Sequence, residues 1–238
     1  MPEAWSKADL HIHSTRSDGL ASPRQIMEYA ARRTDLSVIA ITDHNTLEGA
    51  LDAKEMQHEY PGLEVVVGEE ITSKWGHILG LFLDEEVPPG LSAVETIARI
   101  NEQGGVAVIA HPFANRAFGP FGLRSLGERI NEVAFQAMEV YNSSPYLIHA
   151  NRLASKAFAR GQGIAATGGS DAHVLKAVGT GYTLFRGTTS ADLHRSLDEL
   201  ETRARAGRGG MSVALRYMFR YPQIKRQQQM NRERCKAR

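Results

Sequence analysis

Ala8-Asp9-Leu10-His11-Ile12-His13 is a short apolar run that closes on two imidazoles one residue apart. Side chains two apart on a strand leave the same face. Read as a strand, this stretch sends His11 and His13 toward one point and turns Ile12 toward covering helices. Runs of the same kind recur at Leu36–Thr42, Leu63–Ile71, Ile78–Leu83, Val106–Ala110, Ala134–Tyr141 and Ile164–Thr167. Several are almost unbroken in apolar character, which suits strands covered on both faces.

Helical patterns fill most of the gaps. Ser22-Pro23-Arg24-Gln25 carries a capping serine, a proline at the first helical position and a glutamine placed to reciprocate the cap. Ser92 and Glu95 repeat the box, and Gly104-Gly105 ends that helix in the manner of a left-handed cap. Pro145–Arg160 reads as a further helix stopped by Gly161, and Ala191–Ala206 as the last, stopped by Gly207. The alternation predicts an α/β domain with a parallel sheet. At 238 residues the chain has the size of one α/β barrel, ~250 residues.

Hydrophobic residues make up 42% and charged residues 23%, as in an ordinary globular protein. Cys235 is the lone cysteine, which excludes an intramolecular disulfide. No apolar run approaches the ~20 residues of a membrane span, so no membrane partner is expected. The start, MPEAWSKADL, lacks the pattern of a secretory signal, and the expected location is cytoplasmic. The net charge of +1 hides an asymmetry: Thr202–Arg238 holds 11 Lys/Arg and one acid, leaving 17 basic and 26 acidic residues before it, a net of −9. A boundary is therefore expected at Gly207, with a barrel over 1–206 and a basic tail, helical or disordered, over 207–238. The tail is a candidate contact for nucleic acid or an anionic surface through phosphates.

The acidic body carries a particular set of polar residues at its strand ends. His11 and His13 end the first strand, and Asp18 follows in the loop. Asp43 and His44 end the second, and Glu69 lies near the end of the third. His77 precedes the fourth, His111 ends the fifth before Pro112, and Asp171 and His173 follow a late strand. Taken singly, most have a structural explanation: Asp18 as a loop cap, Asp43 and Asp171 as helix caps, His111-Pro112 as a turn. Of the adjacent pair Glu69 and Glu70 one is expected to be solvent-facing or structural, and Glu69 is the one counted among the strand-end residues. Jointly, ligand-type residues at so many strand ends exceed what chance places there. In a barrel those ends converge on one rim, and imidazole with carboxylate suits zinc, manganese or iron. His58, His149 and His194 lie in polar or helical stretches and are left out of the site.

The motifs together resemble the PHP (polymerase and histidinol phosphatase) family. They are Asp9-Leu10-His11-Ile12-His13-Ser14, Ser17-Asp18-Gly19, Ile41-Thr42-Asp43-His44-Asn45, Gly68-Glu69-Glu70, Gly76-His77-Ile78-Leu79-Gly80, Ala110-His111-Pro112, Glu139-Val140-Tyr141-Asn142 and Gly169-Ser170-Asp171-Ala172-His173. The resemblance covers roughly residues 8–200 and implies a distorted (β/α)7 TIM-like barrel of PHP type with two or three divalent ions (Zn, Mn or Fe). It assigns one ion to His11, His13, Glu69 and Asp171, a second to Glu69, His77 and His111, and a third to Asp18, His44 and His173. Some members have histidine in place of Asp18, which makes the third site more anionic here. Some members also carry a sizeable mid-barrel insertion. Only about thirty residues separate His77 from His111 here, so it is absent.

The activity implied is hydrolysis of a phosphate ester by metal-bound hydroxide, on a nucleotide, a short oligonucleotide or a small metabolite phosphate. Bound ions neutralise phosphate oxygens, lower the pKa of a water from ~15.7 towards ~7 and stabilise the departing alkoxide. Arg16, Arg116 and Arg124 are candidate phosphate clamps, and Asn142 with Ser143 sits where a strand end would meet substrate. Asp43 is expected to orient a ligand histidine or to act as general acid. Two other readings stay open: an amidohydrolase-like C–N hydrolase, whose bridging ligand is typically a lysine, and a non-catalytic metal module with a nucleic-acid-binding tail.

Overall fold

The computed structural model describes residues 4–114, 126, 131–145, 147–160, 163–207, 219–227 and 229–230. Strand β1 (Trp5–Ile12) leads through a loop into helix α1 (Pro23–Arg33), followed by β2 (Val38–Ile41), α2 (Glu48–Glu55), β3 (Glu64–Thr72) and β4 (His77–Leu81). Then come α3 (Ala93–Glu102), β5 (Val106–Ile109), β6 (Ala137–Asn142), α4 (Ile148–Phe158), β7 (Ala165–Gly169), β8 (Gly181–Arg186), α5 (Ser190–Asp198) and β9 (Arg203–Ala206). A further helix, α6, is described over 219–227. Both expected capping boxes form: Ser22 with Gln25, and Ser92 with Glu95, each side chain bonding the other residue's backbone N–H. Each such cap contributes ~1 kcal/mol. Gly104 follows α3 at φ +72°, a left-handed conformation that favours glycine.

Among the described residues nine strands form one sheet in the order β7-β6-β5-β4-β3-β2-β1-β8-β9. It is mixed, not all parallel. β4 runs antiparallel to both β3 and β5, because the link Ser73–Gly76 is far too short for the crossover that a parallel partner needs. β8 and β9 are also antiparallel additions, and neither was legible as a strand. The helix expected over Ala191–Ala206 is α5 alone. It ends at Asp198, and Arg203–Ala206 pairs instead with Gly181–Leu184. Alanine and arginine favour helix locally, and the sheet partner overrides that preference. The helix expected from Pro145 to Arg160 spans Ile148–Phe158.

The sheet curls almost into a barrel. One edge of β1 is divided between two neighbours: β8 takes Trp5–Ala8, and the chain just after β7 takes the rest. There His13 N donates to the Ala172 carbonyl at 2.9 Å and Ala172 N to the His11 carbonyl at 3.3 Å. Closure is tight enough that a Cβ on Gly169 would lie 2.6 Å from the Cβ of His11.

The lumen is filled by alternate strand residues, among them Ala8, Leu10, Val38, Ala40, Val66, Leu79, Leu81, Val108 and Ala137, with Leu193 and Leu197 of α5 joining them. The intervening residues Ile39, Ile41 and Val65 pack with Ile26 and Met27 of α1 and Ala50 and Ala53 of α2. Ile71, Ile78 and Ile109 pack with Ile97 and Ile100 of α3. This two-sided burial explains the unbroken apolar runs. Among the described residues no helix is long and apolar enough to cross a membrane.

Candidate metal centre

Above the apolar filling, the same inward-facing positions become polar. β2 sends Val38 and Ala40 inward, and two and four residues on come Thr42 and His44. β3 sends Val66, Gly68 and then Glu70 inward. Because β4 runs the other way, its first residue lies at the rim, where Thr72 pairs with His77. That reversal explains how a histidine ahead of its strand joins others that end theirs. A register shift in β1 between Asp9 and Ile12 lets His11 and His13 follow Leu10 into the lumen while Ile12 turns outward.

Five imidazoles form a closed circuit. Ring centroids are 5.2 Å apart for His11–His13, 4.7 Å for His13–His44, 5.2 Å for His44–His77, 5.4 Å for His77–His111 and 5.7 Å for His111–His11. His173 stacks on His13 at 4.2 Å. The buried carboxylate of Glu70 faces all five. Its Oε1 lies 2.8 Å from His77 Nδ1 and 2.9 Å from His111 Nε2. Its Oε2 lies 3.1 Å from His44 Nδ1, 3.3 Å from His13 Nε2 and 3.5 Å from His11 Nε2. Asp171 Oδ1 approaches His13 Nε2 at 3.3 Å and His11 Nε2 at 3.6 Å. Asp18 Oδ2 approaches His173 Nε2 at 3.1 Å and His44 Nε2 at 3.6 Å. The His44 side chain is 24% exposed and that of His173 13%, against 0% for His11 and His13, so the cluster opens on the Asp18 side.

The placement of Glu69 corrects the sequence reading. Glu69 shares the outward parity of Val65 and Ile71, and its Oε1 accepts from Val87 N at 2.6 Å. Burial, partly offset by Val87 N–H, raises its carboxyl to about 8. Glu70 takes the central place. The apolar residues of Glu64–Thr72 lie on both faces of β3, so the sequence offers no phase by which to choose between the neighbours.

Other expectations fare differently. Asp43 accepts from Ser14 N at 2.7 Å, from Ser14 Oγ at 2.6 Å and from Ser17 Oγ. It reaches the cluster through Ser17, whose Oγ is 3.5 Å from His13 Nδ1. Arg16 is committed to α2: its Nε is 2.8 Å from Asp52 and its Nη1 3.4 Å from Glu48. Arg116 and Arg124 lie outside the described residues. Asn142 donates from Nδ2 to Glu139 at 2.9 Å and to Asp171 at 3.3 Å, which holds two carboxylates. His58 and His149 are exposed, and His194 packs on Phe82 away from the cluster. Glu139 received no role from the sequence. It is buried, its Oε1 is 3.0 Å from His11 Nδ1, and its Oε2 accepts from His111 N at 2.8 Å. Its two-residue offset from lumen-facing Ala137 was the available signal.

Two members of the cluster sit in strained backbone: His111 at φ +26° and Asp171 at φ +51°. Left-handed conformations in non-glycine residues persist where the surroundings fix them, and they concentrate at functional sites.

The charges point to a cation. Burial alone would raise Glu70, yet His77, His44 and His11 hold it well below the usual range. Burial opposes the charged form of His44 and of His173, but Glu70 and Asp18 raise the first, and Asp18 the second, to about 9. Burial and neighbouring imidazoles instead lower His13 and His77. Among the described residues His11 Nε2, His13 Nε2 and His77 Nδ1 are buried and find no hydrogen-bond partner, although carboxylate oxygens lie close by. Buried polar atoms need partners. Lone pairs of imidazole and carboxylate converge in groups such as His13-Asp18-His44-His173, His11-His13-Glu70 and His44-Glu70-His77, a donor set that can hold a divalent metal ion.

Comparison with known proteins agrees. Residues 9–86 match the family described as PHP domain, and residues 149–202 match the one described as PHP-associated. The chain is 40% identical over 148 residues to an uncharacterized protein of Methanocaldococcus jannaschii, covering 58% of this chain and 82% of that one. It is 33% identical over 106 residues to a 5'-3' exoribonuclease of Haemophilus influenzae, covering 43% of this chain and 38% of the relative. A two-domain protein of Bacteroides vulgatus, containing a predicted PHP-like metal-dependent phosphoesterase, shares the fold with a TM-score of 0.69 at 20% identity, over 91% of this chain and 70% of that one.

Proposed function

This chain belongs to the PHP family of metal-dependent phosphoesterases, and from that premise we propose that its imidazole–carboxylate cluster is where it hydrolyses a phosphate ester. The observation that carries the assignment is the posture of Glu70, whose two oxygens face separate groups of imidazoles. A carboxylate so placed can bridge two ions. One ion would be held by His11, His13, Glu70 and Asp171, a second by Glu70, His77 and His111, and a third by Asp18, His44 and His173. Such ions, when bound, supply charge neutralisation for phosphate and leaving oxygen and a water acidified toward neutral pH.

The chain's own residues prepare that place. Glu139 fixes the tautomer and direction of His11 by accepting from Nδ1, leaving Nε2 to point inward. Asn142 holds Asp171 against rotation. Asp43 and Ser17 anchor the loop that presents Asp18. A carboxylate at the bridging position, where amidohydrolase-like sites use lysine, favours ester hydrolysis.

The exoribonuclease relative directs attention to nucleotides and oligonucleotides, and small phosphate esters belong in the same screen. Protein reconstituted with zinc, manganese or iron should release phosphate or nucleotide from at least one of a phosphomonoester, a nucleoside bisphosphate and a dinucleotide. Protein verified to hold its metal that hydrolyses none of them would end this reading.

A further inference from the structure

Helix α6 supplies no member of the metal cluster, yet it is docked beside it. Ile224 is only 5% exposed and belongs to the core group that includes Ile26 and Met27 of α1. Gln227 Nε2 donates to the carbonyl of Thr15 at 3.5 Å, so the helix lies against the loop that presents Asp18. The cluster opens on that same side.

What α6 shows to solvent is unusual for this chain. Phe219 is 79% and Tyr221 48% exposed, and Arg220, Lys225 and Arg226 are exposed with them. Lys225 Nζ stands 5.6 Å from the Tyr221 ring centroid. No Asp or Glu occurs between Glu201 and Glu233. Among the described residues no carboxylate pairs with Arg220, Lys225 or Arg226, whereas Arg16, Arg24 and Arg195 all have acidic partners. Cations without acidic partners among the described residues, interleaved with exposed aromatic rings, match a ligand that offers phosphates and unstacked bases together. A small phosphate has no use for the rings, and a duplex hides its base faces.

We propose that α6 is a docking surface for single-stranded nucleic acid, which it holds beside the Asp18 edge of the metal cluster. The proposal rests on the phosphoesterase reading for what happens to the bound strand, but not for binding itself.

The test uses the full chain in EDTA with a fluorescein-labelled single-stranded RNA of about 15 nucleotides, a length in the range that such surfaces cover, and an RNA duplex of equal length. Affinity is measured against salt for wild type, for R220S/K225S/R226S and for F219S/Y221S. These residues are exposed and outside the cluster, and turnover of bis(p-nitrophenyl) phosphate by the metal-loaded variants should stay at the wild-type level. Three lost phosphate contacts at ~0.7 each should flatten the dependence of log Kd on log salt by about 2. Removing the rings should weaken single-strand binding by ~10-fold or more with the slope unchanged. Equal affinity of both variants and wild type for the single strand, or equal binding of the duplex, would overturn the proposal. So would loss of self-association in F219S/Y221S with RNA binding unchanged, which would make α6 a contact between copies of this chain. Wild type that binds the strand yet hydrolyses no ester would remove the phosphoesterase reading and leave the docking surface standing.

Discussion

Glu69 and Glu70 are chemically identical neighbours with opposite duties, which makes them the sharpest test of the site at the scale of single residues. Glu70→Gln should lose bound metal, and its kcat/KM should fall by more than the ~100-fold that removal of an outer partner costs. Glu69→Gln should keep metal content and turnover near wild type, because its contact is to Val87 N on the outer side of the barrel. Metal analysis with steady-state kinetics distinguishes them, and the reverse ranking would invalidate the assignment. Glu139→Gln probes the partner of His11. Loss of the charge 3.0 Å from His11 Nδ1 should weaken metal binding ~10–100-fold in a calorimetric titration, with the fold intact by circular dichroism. An unchanged metal affinity would reduce Glu139 to a packing role.

Elements follow local rules where their ends are written locally. Thr189 caps α5, and Asp192 accepts from Thr188 N at 2.9 Å and from Thr189 N at 3.1 Å. Those backbone bonds, then the Thr189 hydroxyl, hold the Asp192 carboxyl at about 2, below its ordinary 3.8. A depressed acid stabilises the fold above its unfolded pKa and loses that contribution as pH falls through the folded value. The stability difference between wild type and Asp192→Asn should therefore be full above pH ~4 and vanish toward pH ~2. A difference in thermal midpoint that stays constant across that window would contradict the cap's ionic character. The same caps made α1 and α3 readable from sequence. Within Ala191–Ala206 local preference and pairing disagree, since Arg203–Ala206 is strand only because β8 lies beside it.

At the scale of the whole molecule the decisive event is closure of the sheet. His11 and Asp171 come together because the chain after β7 hydrogen-bonds to the end of β1. Gly169 permits that approach, since a Cβ there would meet His11 Cβ at 2.6 Å and Glu139 Oε1 at 2.7 Å. Gly169→Ala should cost ~1–3 kcal/mol in denaturant unfolding, as overpacking typically does, and should also weaken metal binding. Unfolding and metal titration both at wild-type values would show that the seam is looser than its contacts imply.

The sequence by itself determined the ends of the strands that carry the cluster, the caps of α1 and α3 and the kinds of side chain gathered, because backbone preference and side-chain alternation are properties of a few consecutive residues. His11, His13, Asp18, His44, His77, His111, Asp171 and His173 were legible as candidates from their types and their places at strand ends or in the loops that follow. Only the tertiary structure decided which glutamate faces the lumen, that Glu139 backs His11, that Arg16 turns to α2, and that β4 runs backward to bring His77 to the rim. In a strand apolar on both sides the alternation has a period but no phase. The phase is set by which face the closed sheet turns inward, and that is fixed by pairing between residues far apart in the chain.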